Sequence, residues 1–69
     1  MQPVHPDAAE YAERLIATRL AEAAGDTGSG FTHAFRCSTI AFKASASGDV
    51  EFLRQIEAIG ATFDKHTAV

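Results

Sequence analysis

His33 and Cys37 stand four residues apart, a spacing that puts an imidazole and a thiolate on neighbouring turns of a helix, within reach of one metal ion. Two ligands do not make a site. A third would have to come from His5, Asp64 or His66 near the chain ends, and neither a Cys-x-x-Cys pair nor a second histidine at helical spacing supports one. No metal or cofactor is therefore expected: His33 reads as a surface residue and Cys37 as a small, half-buried apolar one. A metal-dependent or redox role through Cys37 and His33 is an alternative, and the lone thiol is a possible intermolecular contact because the chain offers it no intrachain partner.

Nucleophilic catalysis needs Cys37 or a serine beside a base and an orienting third group, and scattered histidines supply no such arrangement. The glycine-rich run Gly25 to Gly30 lacks the Gly-Lys-Ser/Thr ending of a phosphate cradle and follows a predicted helix instead of a strand. Ser47 beside Gly48 and Asp49 reads as a helix cap. The chain is not expected to be an enzyme.

Charge gives the clearest surface signal. Residues 27 to 48 carry Arg36 and Lys43 and no acid, between two acidic flanks. On a helix, His33, Arg36, Ile40 and Lys43 follow one another at three, four and three residues, so an outward isoleucine would sit in a basic frame, the apolar centre and polar rim of a protein-docking patch. Ile40 would alternatively pack on a second copy of the chain. Asp7, Glu10 and Glu13 form an acidic start to the first helix; they complement its dipole and offer a second contact surface.

These residues need elements to hold them. Both prolines fall within residues 1–6, which reads as a flexible lead-in. Residues 7–66 form a single small domain, with 67–69 a frayed end. Helix one runs from Asp7 to Ala24 and stops at Gly25; Ala9, Ala12, Ile16, Leu20 and Ala23 share the face expected to be buried. Gly25 to Gly30 reads as a loop. The last helix, capped by Asp49 or Ser47, places Phe52, Leu53, Ile56, Ile59, Gly60 and Phe63 on one stripe.

The middle segment, residues 31–46, sets propensity against spacing. Its Phe, Thr and Ile favour a strand. As a helix it gathers Phe31, Ala34, Phe35, Ser38, Ala41, Phe42 and Ser45 on one expected inner face, with Ile40 the misplaced residue. As a hairpin it needs a turn near Cys37, where no glycine or asparagine stands. The fold expected is mainly α, three amphipathic helices in a small bundle; the alternative is α+β, helix-hairpin-helix with strands in 31–45.

At 69 residues, a domain buries only about 60% of the surface its unfolded chain exposes, so self-association, a homodimer, is the default expectation. A net charge of −3 repels phosphate backbones and anionic lipids, which makes nucleic acid and membranes poor partners. No apolar run approaches the ~18 residues of a membrane span and no signal peptide is legible, so the chain reads as cytoplasmic.

The function expected is that of a small acidic, non-enzymatic protein-binding domain, an inhibitor or adaptor that occludes a larger cytoplasmic partner. In size and charge the chain resembles the inhibitors that phages encode against host enzymes and defence systems, anti-CRISPR proteins among them; that likeness assigns no residue. The alternative is a small transcriptional regulator or antitoxin that reaches DNA through the basic middle segment.

Overall fold

The computed structural model describes residues 3–67, with side chains up to Phe63. Met1, Gln2, Ala68 and Val69 lie outside the described residues, as do the side chains of Asp64 and His66. Three α-helices make up the described residues: α1 (Pro6–Ala23), α2 (Thr27–Ser47) and α3 (Val50–Thr67). The fold is mainly α. The hairpin alternative is excluded, because residues 31–46 lie wholly inside α2.

Local chemistry accounts for each boundary. Pro6 occupies the first helical position, where no amide donor is needed, and the His5 ring accepts a hydrogen bond from Asp7 N–H at 3.1 Å. α1 closes in a Schellman motif: Gly25 N–H reaches Glu22 C=O and Asp26 N–H reaches Ala21 C=O. Gly25 takes a φ of +73° there, a left-handed conformation that glycine adopts without steric cost. Asp26 then caps α2 by accepting from Ser29 N–H at 3.1 Å. The expected loop over Gly25 to Gly30 thus shrinks to Ala24–Asp26, and Thr27 to Gly30 form the first turn of α2. Gly48, at φ +75°, ends α2, and Asp49 accepts from Phe52 N–H at 3.1 Å to start α3.

The threonines that argued for a strand are accommodated by back-bonding. Thr32 donates to Gly28 C=O and Thr39 to Phe35 C=O, each at 3.0 Å. Their hydroxyls are satisfied within the helix.

α1 and α2 form an antiparallel pair in contact along most of their length, whereas α3 meets each over a short stretch. Small residues allow the close approach: Ala8, Thr18 and Ala21 on α1 face Gly30, Cys37 and Ala44 on α2, all buried. A methyl group placed on Gly30 would sit 3.7 Å from the Ala21 side chain, which marks how near the two backbones run. α3 packs over the start of α1 and the end of α2, where Phe52 and Ile56 join Ala8, Ile40 and Ala44 in the core, with Tyr11, Ala41, Leu53 and Ile59 around them.

α3 turns the stripe expected from its sequence inward, with Phe52 and Ile56 buried and Leu53, Ile59, Gly60 and Phe63 half-buried. The other two helices are turned. On α1, Ile16 and Leu20, expected inside, are exposed, and the inward face is instead Ala8, Thr18 and Ala21 with Tyr11, Ala12 and Leu15 half-buried. On α2 the rotation is about a third of a turn and brings Ile40 to the core. The first residues are also fastened: His5 N–H donates to Gln55 Oε1 at 2.8 Å, Gln55 Nε2 donates to Pro3 C=O at 3.2 Å, and the His5 ring stacks on Phe52 at 4.0 Å.

Candidate protein-binding surface

The basic stripe expected on the outside of α2 faces α1. Arg36 makes a two-pronged pair with Glu10, at 2.7 and 2.8 Å, and Lys43 meets Asp7 at 2.6 Å. Arg14 Nη1 lies 2.8 Å from His33 Nδ1 and its Nε lies 3.6 Å from Glu10. A guanidinium has only donors, so Nδ1 of His33 accepts and the ring proton sits on Nε2. The acidic start of α1 and the basic stripe of α2 are therefore the two halves of one ladder, in which residues 7, 10 and 14 run forward against 43, 36 and 33 running back. Glu13 lies outside it, on the exposed side of α1.

Ile40 is 1% exposed. The outward isoleucine expected at the centre of a docking patch is core instead, and Arg36 and Lys43 of its basic rim pair with Glu10 and Asp7. The same pairing occupies the side chains that would have to reach DNA phosphates. Cys37, offered by the sequence as a possible intermolecular contact, is 6% exposed, its thiol directed at Tyr11 C=O at 3.8 Å. Burial pushes the Cys37 thiol pKa up, which further lowers its reactivity as a thiolate.

The ladder sets an acid response. The Arg36 hydrogen bond, reinforced by the charges of Arg36 and Arg14, holds Glu10 below its ordinary value of 4.5; the Lys43 hydrogen bond holds Asp7 below 3.8. A carboxyl whose folded pKa is depressed stabilises the fold above its unfolded pKa, and that contribution is lost as pH falls through the folded value. We expect thermal stability to hold from pH 7 to about 5 and to fall from pH 4.5 downward. In a melting-temperature series, Asp7→Asn with Glu10→Gln should lower the neutral plateau and flatten the acid decline; an unchanged acid slope would remove the ladder from the explanation.

The face that α2 turns to solvent is aromatic. Phe31, Phe35 and Phe42 are 72%, 66% and 76% exposed, and at about 100° per residue they fall within a narrow stripe opposite Ile40 and Ala44. Phe31 and Phe35 lie against each other with ring centroids 6.3 Å apart. Taking ~200 Å² for a phenylalanine, the three rings expose on the order of 400 Å², as much as the largest apolar patch of an ordinary monomer. Helical spacing alone places these rings on the expected inner face of the segment, and the structure places them outside. Two signals pointed to the outside: the mirrored order of charges on helices one and two, and the second apolar stripe formed by Gly30, Cys37, Ile40 and Ala44.

Open depressions interrupt the surface of the described residues. One, about 280 Å³, lies at the α1–α2 turn beside Phe31 and Asp26; another, about 290 Å³, lies between the first residues and α3, beside Val4 and Gln55. Both fall just short of the ~300–1,000 Å³ of small-molecule sites. No group of three or more metal-ligating side chains gathers among the described residues, and none of the described helices is long and apolar enough to cross a membrane. No family model, curated protein or solved structure is significantly similar to this chain.

Proposed function

We propose that this chain is a non-catalytic protein-binding domain whose working surface is the aromatic ridge of α2, Phe31, Phe35 and Phe42. The observation that carries the reading is the exposure of three phenylalanines on one helix face. Exposing phenylalanine to water is unfavourable by ~1.5–3 kcal/mol per ring relative to burial. A small domain that leaves three outside has them available for a partner, and aromatic residues are enriched in the buried centres of protein interfaces. The cationic neighbours on α2 are turned to α1, so the ridge engages its partner by apolar contact and shape, in the manner of a helix laid against a complementary surface. An inhibitor or adaptor needs no more machinery than this.

Site-specific photocrosslinking in the cells that make the protein tests the reading. A benzophenone-bearing residue at position 35 should give covalent protein adducts, and the same residue at exposed position 57 on α3 should give none. Adducts from position 57 with none from position 35 would move the working surface elsewhere.

A further inference from the structure

Taking the ridge as the binding surface, we infer that its partner is a second copy of this chain, joined through an antiparallel pairing of α2 with α2 about a two-fold axis at Ser38. The spacing is the first ground. Phe31, Phe35, Ser38, Phe42 and Ser45 follow at four, three, four and three residues, the a and d rhythm of a two-helix seam, sustained over about 21 Å of helix. The expected inner face of helix two is thus a packing face, but one that packs outside the chain.

The order of sizes is the second ground. A two-fold axis at Ser38 sets each Phe31 against Ser45 of the other copy and each Phe35 beside Phe42 of the other copy, with the two Ser38 residues meeting at the centre. Large meets small at both ends, and the aromatic pairs flank a narrow waist. The seam complements itself only when antiparallel, since a parallel pairing in register would oppose Phe31 to Phe31 and Ser45 to Ser45. Self-complementarity of one patch is the condition for a two-fold dimer.

Charge and area agree. The positions that border the seam are Thr32, Ala34, Thr39, Ala41 and Ala46, none charged, and both threonine hydroxyls are spent on their own helix. Two chains of net charge −3 therefore meet with no charged α2 side chain on the seam or its borders; Glu22 and Asp26 stand beside Phe31 at its outer end. A standard interface takes about 800 Å² from each partner. The three rings supply about half of that, and the small residues of the stripe and its borders make up the remainder.

Sedimentation equilibrium of the purified chain tests the inference. The wild type should give twice the 7.3 kDa chain mass, and Phe35→Asp should give the single mass with helicity unchanged by circular dichroism. In a Cys37→Ala background, Ser38→Cys should link two chains on mild oxidation. Ser45→Cys should not, because its two copies would lie about 21 Å apart along the axis, far beyond the ~7 Å limit of a disulfide. Linking by Ser45→Cys as readily as by Ser38→Cys would overturn the antiparallel arrangement, and a dimer retained by Phe35→Asp would overturn the seam. A monomeric wild type overturns self-pairing outright; adducts from position 35 to a different protein would then leave the ridge as a binding surface, and no adducts would take that reading down as well.

Discussion

Ile40→Asp is expected to unfold the chain. Ile40 is one of the two largest fully buried side chains and packs with Ala8, Ala44, Phe52 and Ile56 where all three helices meet. Truncating a buried isoleucine to alanine costs ~2–5 kcal/mol. A carboxylate adds the penalty of an unpaired charge in an apolar site, where the nearest basic side chains on α2, Arg36 and Lys43, are already held by Glu10 and Asp7. A 69-residue domain has roughly 3–10 kcal/mol of stability to lose. Circular dichroism should show the helical signal collapse in Ile40→Asp, a cooperative but markedly lowered melt in Ile40→Ala, and little change in Phe35→Asp. Helicity retained in Ile40→Asp would return Ile40 to the surface and with it the basic docking patch.

Phe52→Ala should have the second largest effect, ~3–5 kcal/mol of destabilisation by denaturant titration. Phe52 is 2% exposed, and besides filling the core its ring is the platform on which His5 stacks, the planes within 4° of parallel. His5 in turn caps α1 and donates its N–H to Gln55. The substitution therefore removes a core residue and the support of a helix cap together. Amide exchange should speed up in the first turn of α1 by more than the global loss of stability accounts for, whereas Phe52→Leu, which preserves most of the volume, should keep the core better than the cap. Equal loss of protection throughout α1 would show that the first residues fold independently of Phe52.

Much of this architecture is legible residue by residue. Proline at the start of α1, glycine at its end and Asp49 ahead of Phe52 mark the boundaries, because each residue type meets a backbone need that the others meet poorly. In the middle segment the helical spacing outweighs strand propensity, since threonine can return its hydroxyl to the preceding turn and phenylalanine pays little to stand on a helix. α3 has one apolar stripe, and that stripe faces inward.

The acidic and basic groups of the candidate site were visible as separate patches, each with its own supposed partner outside the chain. Their mutual attraction appears only when the three-residue turn Ala24–Asp26 lays α2 back along α1 and brings Lys43 to Asp7 and Arg36 to Glu10. The binding surface moves with them, from Ile40 to the three phenylalanines.

The amino-acid order alone determined that the first and last elements are helices and which side chains share a stripe on each, because these follow from backbone chemistry and the helical repeat; the structure makes the middle segment a helix and starts it at Thr27. Which stripe of α2 faces inward was decided by tertiary packing. Both stripes are apolar, but only the one with glycine, cysteine and alanine lets α1 approach closely enough for the ion pairs to close. The bulkier aromatic stripe is left facing solvent.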